Sequence, residues 1–194
     1  MEIWGAERDE MLDLAEQLVV LDDKQWSSPS LCSEWRIRDV LAHLTAGAEG
    51  AFGVGWIFKS MLRHGFNYNR WVAADGKERG QQDPAIVLEA LRNAAANRKA
   101  QPGTRPVRGL MHVLIHGQDM CRPLGIRRDL PEAHLIPVAD FVKDDVHIFG
   151  AKKRIAGLRL TAVDMDWSHG DGPEVTGPAE ALVMMMAGRP GGTR

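Results

Sequence analysis

The chain has 194 residues, 44% of them apolar, and 24 Lys and Arg against 26 Asp and Glu give it a formal charge of -2. A chain of this length buries about 70% of the surface its unfolded form exposes, enough for a core without disulfide staples. Near-neutral charge and a pI near 6.4 argue against the clustered basic surface of a nucleic-acid binder. Cys32 and Cys121 form neither a CxxC pair nor a secreted scaffold. No apolar run approaches the ~20 residues that span a bilayer, and the acidic, amphipathic start lacks the basic and apolar regions of a signal peptide. A cytoplasmic protein with no membrane and no nucleic-acid partner is expected.

Met11, Leu14, Ala15, Leu18 and Leu21 recur at three- and four-residue steps and predict a first helix over about 6–22. Residues 25–34, with Pro29 and four serines, predict a turn-rich connection. A second helix is expected from Trp35 or Ile37 through about Leu62, although Gly47, Gly50, Gly53 and Gly55 weaken its second half. Residues 64–82 are polar and glycine-containing and read as a loop. Asp83 and Pro84 then form an N-cap and first-turn pair that opens a third helix.

After the breaker QPGTRP, the segment VRGLMHVLIHGQDMCRPLG predicts a fourth helix, ended by Pro123 and Gly125. Four such helices suggest an antiparallel bundle. Pro131 to about Ile148 reads as a fifth helix. GLRLTAVDMDW and PEVTG flank SHGDG in a hairpin-like pattern, and PAEALVMMMAGRP closes the chain as a short helix. The expected organisation is a helical bundle over 1–128 and a C-terminal helix with a small α/β appendage over 129–194.

His112 and His116 lie four residues apart on the fourth helix, about 40° apart around its axis, so both imidazoles can reach one ion. His43, in RDVLAHL of the second helix, completes a three-histidine set if the two helices meet. The stripe through Val107, Leu110 and Leu114 faces away from His112, His116 and Asp119, while Val113, Ile115 and Met120 make most of the remaining circumference apolar. Histidines on such a helix need partners, because burying unpaired polar groups costs a few kcal/mol each. Either a metal or hydrogen bonds between side chains would satisfy them. Three neutral imidazoles leave a divalent ion an open position, the catalytic rather than structural zinc pattern. Asp119 and Gln118, within a turn of His116, and Asp39, one turn before His43, are placed to orient ligand imidazoles or a substrate. His64, His134, His147 and His169 read as surface or loop residues. Cys121 reads as core, and Cys32 has no helical neighbour to activate it.

EWRIRDVLAHLTAGAEG, MHVLIHGQDMCRPLGI and WSHGDGPEVTGPAEALVMMMAGRP resemble the signature blocks of the mycothiol-dependent maleylpyruvate isomerase-like proteins of the DinB superfamily. The resemblance spans nearly the whole chain. It implies a mainly α fold, a DinB-like four-helix bundle with a small C-terminal α/β appendage. It also implies a divalent metal, zinc or in some relatives nickel, held at positions corresponding to His43, His112 and His116. A low-molecular-weight thiol such as mycothiol would serve as co-substrate, and a homodimer follows by family analogy. The isomerase branch carries glutamate at the position of His112, whereas the bacillithiol-transferase-like branch carries three histidines, as here.

The leading expectation is a metal-dependent thiol S-transferase acting on a small electrophile. A hydrolase that uses the same metal to activate water and a non-catalytic metal- or ligand-binding stress-response bundle stand as alternatives.

Overall fold

The computed structural model describes residues 3–49, 67–97 and 105–190. The first helix, α1, covers Ile3–Leu18 and stops short of the expected Asp22, because Asp22 starts a new element. Its carboxylate accepts the Gln25 N–H at 2.7 Å while the Gln25 side chain accepts the Asp22 N–H at 3.0 Å, a reciprocal cap that opens the one-turn helix α2, Asp23–Trp26. The turn-rich connection follows as expected, pinned by a bridge between Pro29 and Arg36.

Helix α3 runs Ile37–Ala48 with Ile37, Val40, Leu41 and Leu44 buried. The glycine-rich second half of the predicted helix, and His64, lie outside the described residues. The stretch expected to be a loop contains a helix, α4, Tyr68–Arg79. It escapes a search for apolar periodicity because its buried positions are Trp71, Asp75, Gly76 and Gly80, one aromatic residue among small and charged ones. A β-carbon on Gly76 would stand 2.6 Å from the Trp35 ring, and one on Gly80 would stand 2.0 Å from Oδ1 of Asp39. The absent side chains let α4 lie flush against the start of α3.

Helix α5, Pro84–Ala96, starts where the Asp83-Pro84 pair predicts, with Asp83 accepting the Ala85 N–H at 2.9 Å. Helix α6 is Pro106–Cys121, and a single 3-10 turn over Arg122–Leu124 ends at Gly125 with φ of 71°. Helix α7, Glu132–Val142, is shorter than expected. The carboxylate of Asp145 accepts N–H groups from Ile148, Phe149 and Gly150 at 3.0, 2.6 and 3.2 Å, which folds the chain into a turn before α8, Ala151–Arg154. Burial pushes the Asp145 carboxyl up, but these donors together hold it below its usual range.

The expected hairpin is only partly realised. Strand β1, Arg159–Ala162, pairs antiparallel with β2, Ser168–His169, and parallel with β3, Glu174–Gly177, in the order β2-β1-β3. SHGDG is therefore strand plus crossing, not the turn of a hairpin. The chain passes from one edge to the other through Gly170 and Gly172, with φ of 83° and 138°. Their missing β-carbons would lie 2.3 Å from the Leu158 carbonyl oxygen and 2.1 Å from that of Gly157. The closing helix, α9, is Ala179–Met186, its first N–H bound by Asp164 at 2.9 Å.

Contacts divide the chain into two compact units, one of residues 7–100 and 116–127, the other of residues 1–6, 101–115 and 128–194, and both α1 and α6 run through the division. In the first unit α3 packs on α4 and α5, burying Leu41, Leu44, Leu88 and Leu91. In the second, α9 packs on α7 and the sheet, with Leu135, Val138, Leu160 and Leu182 inside. The described residues are mainly helical with one small sheet. No helix among the described residues is long and apolar enough to cross a membrane.

Candidate metal centre

Helix α6 buries Leu110, Met111, Val113, Leu114, Ile115 and Met120, so it is apolar around most of its circumference, as its sequence predicts. Its polar side chains therefore meet protein more than water. His112 is half-buried, and the His116 side chain, one turn further, is 13% exposed. His43 projects from α3 between Ala42 and Leu44, both buried. One donor atom from each of His43, His112 and His116 lies within 4.8 Å of the others. The rings of His43 and His116 meet edge to face, with centroids 5.3 Å apart.

His43 is held by the loop that precedes its own helix. The Trp35 indole lies against it with ring centroids 4.9 Å apart. That indole is fixed in turn by donating Nε1–H to the Ala73 carbonyl at 3.1 Å and by the bare face of Gly76. Helix α4 thus reaches the histidine through Trp35. Burial, reinforced by the neighbouring His116 and by the positive charge of Arg79, pushes His43 down from 6.5 to about 3. It is neutral at physiological pH, the form that binds metals.

His116 is oriented from the other side. Its Nδ1 lies 3.0 Å from Oδ2 of Asp119, a carboxylate with no exposed surface. Where the Asp119 carboxylate accepts from Nδ1–H, Nε2 is the nitrogen left to an ion. Cys32 belongs to the same group, with Sγ 3.0 Å from Oδ2 of Asp119 and 3.8 Å from Nδ1 of His116. Sequence reading leaves Cys32 without a neighbour because its partners lie 84 and 87 positions away. Cys32, His116 and Asp119 also form a second group whose donor atoms lie within 4.8 Å of one another.

Asp39 and Gln118 are both buried. Asp39 is engaged at the start of α3, where it accepts from the Arg36 backbone N–H, Nε and Nη2 at 2.9, 3.0 and 2.8 Å. This contact carries the Arg36 guanidinium above its usual range, against the opposing effect of burial. Cys121 is fully buried, its sulfur 3.8 Å from Gln17 Oε1, a core residue as expected. His147 is exposed, while His134 and His169 are half-buried.

The donor set suits a borderline divalent ion. The imidazole donors, within 4.8 Å of one another, are of the kind that a divalent ion such as zinc binds at about 2.0–2.1 Å. Asp119 supplies the carboxylate that commonly backs a ligating imidazole.

Fold and site together define a helical protein with a histidine-rich candidate metal centre shared by α3 and α6. The sequence model of the mycothiol maleylpyruvate isomerase N-terminal domain matches residues 4–108, and the chain belongs to that family. Crystal structures of the mycothiol-dependent maleylpyruvate isomerase and of a histidine-to-alanine mutant of it share its fold. They match with TM-scores of 0.63 and 0.64 over 97% of this chain and 88% of theirs, at 17% and 16% identity. Among curated proteins none matches the sequence.

Proposed function

We propose that this protein is a metal-dependent thiol S-transferase of the DinB type. His43, His112 and His116 would hold a divalent ion, zinc or nickel, both of which accept imidazole ligands. A thiol of the mycothiol kind is the co-substrate and a small electrophile the acceptor. The observation that carries this reading is the convergence of the three histidines, whose donor atoms lie within 4.8 Å of one another. Family membership supports the choice of thiol.

When bound, the ion supplies Lewis acidity that lowers the pKa of a thiol from about 8.5, so that the nucleophilic thiolate exists at neutral pH. The remaining work falls to this chain. Burial keeps His43 neutral, and Asp119 keeps the His116 proton on Nδ1. Three neutral imidazoles bring no negative charge of their own, so the ion's charge is left to act on the thiol. Thiolate addition to an electrophilic carbon is shared by conjugating enzymes and thiol-dependent isomerases, and the electrophile decides which outcome follows.

The test is metal analysis of protein purified without chelators, together with thiol consumption in the presence of a model electrophile. Stoichiometric metal, lost in His116→Ala, and thiol consumption abolished with it are expected. Metal content unchanged in the variant would remove the site. Product formation from the electrophile without thiol would transfer the metal to a water-activating role.

A further inference from the structure

The geometry points to Cys32 as a positioning residue: its thiol fixes Asp119, and through Asp119 it fixes which nitrogen of His116 faces the ion. The inference rests on the metal-site reading for its consequence but not for its geometry. Sγ–H of Cys32 and Nδ1 of His116 both lie 3.0 Å from the same oxygen, Oδ2 of Asp119. Two donors converging on one carboxylate oxygen hold the short aspartate side chain in a single orientation. Removing the thiol takes one of these two donors from Oδ2 and loosens the carboxylate against which the imidazole is set.

The loop that carries Cys32 is built to hold it there. The Leu31 N–H donates to the Asp119 carbonyl at 3.0 Å, tying the loop to α6 at the residue whose side chain Cys32 touches. The Cys32 N–H donates to Ser30 Oγ at 3.1 Å, and that hydroxyl donates to the Trp35 carbonyl at 2.8 Å. The Trp35 N–H closes the turn on the Cys32 carbonyl at 3.1 Å. Glu34 completes it with φ of 73°, the one non-glycine residue with positive φ among those described. Such conformations in bulky residues cost about 1–2 kcal/mol. One strained turn thus sets Cys32 beside His116 and Trp35 beside His43, on two of the three histidines. Hydrogen-bond separations to a shared acceptor favour positioning over ligation, although the same atoms would also suit an ion.

Three measurements on the full chain decide the matter. Nitrogen NMR of the histidine rings in ion-free protein should show His116 as a single Nδ1–H tautomer, a tautomer mixture in Cys32→Ala, and the single tautomer restored in Cys32→Ser. Zinc affinity, read by chelator competition, should fall about tenfold in Cys32→Ala and recover in Cys32→Ser, the scale seen when partners behind metal ligands are removed. Cobalt-loaded wild type should show no sulfur-to-cobalt charge-transfer absorption. An unchanged His116 tautomer in Cys32→Ala overturns the inference while leaving the metal site standing. A charge-transfer band that disappears in Cys32→Ser makes Cys32 a ligand and also overturns it. If zinc fails to bind but the tautomer shift is seen, the metal reading falls and the positioning role survives.

Discussion

His116 turns Nδ1 toward Asp119, 3.0 Å away and fully enclosed, and this pairing decides which face of the ring remains for chemistry. Asp119→Asn tests it directly. The amide is nearly isosteric, but it can rotate to present either a donor or an acceptor, so the proton on His116 is no longer fixed. Zinc affinity should fall about tenfold to a hundredfold with the helical circular dichroism signal unchanged. Wild-type affinity in the variant would show that the carboxylate does not orient the ligand.

Gly80 and Gly76 set how closely α4 approaches the site. A β-carbon at Gly80 meets Oδ1 and Cα of Asp39 at 2.0 and 2.9 Å. Backbone cannot yield as a flexible side chain does, and Asp39 is further locked by Arg36. Gly80→Ala should lower unfolding stability by about 1–3 kcal/mol, the usual scale of overpacking, although alanine is the better helix former. Gly76→Ala presses on the Trp35 ring, so its effect should reach His43 and weaken zinc binding. A stabilised Gly80→Ala protein in denaturant titration would refute the close packing.

These contacts mark where the sequence was readable. Asp83 and Pro84 announced α5 because a cap and a fixed φ act locally. The apolar circumference of α6 was visible because its buried positions carry large side chains. Helix α4 was hidden because it packs through glycines and an ion-paired Asp75, whose carboxyl burial raises while Arg79 opposes the rise at 2.9 Å. The parallel pairing of β1 with β3 depends on a crossing at Gly170 and Gly172, and turn residues alone look the same in a crossing and in a hairpin. His43, His112 and His116 could be named from helical spacing plus resemblance. Cys32 could not, since only the folded loop brings it to Asp119.

Glu34 gives a test of strain at that loop. Its φ of 73° suits glycine, and its ion pair with Lys77, at 3.1 Å between exposed side chains, contributes little. Glycine relieves about 1–2 kcal/mol of backbone strain and returns about 0.5–1 kcal/mol of it as extra unfolded-state entropy. Glu34→Gly should therefore raise stability by up to about 1.5 kcal/mol, measured by denaturant unfolding. If the loop relaxes its hold on Cys32 at the same time, zinc affinity falls although the fold gains. A clear loss of stability would mean that the positive φ is not a strained conformation.

His43 makes the fold sensitive to acid in a defined window. Its folded-state value is about 3, below the ordinary 6.5, because burial and its charged neighbours disfavour the imidazolium. The unfolded chain therefore takes up a proton that the folded chain refuses. The contribution is fully present above pH 6.5 and is lost as the pH falls from there toward about 3. Within the window the loss approaches about 1.4 kcal/mol per pH unit, one proton's worth. Ion-free wild type and His43→Asn should be compared by urea unfolding at a series of pH values, since asparagine cannot take up the proton. Wild type should lose stability more steeply than the variant on acidification, by a slope of up to one proton. Parallel pH profiles for the two proteins would show that His43 is not held in its neutral form by the fold.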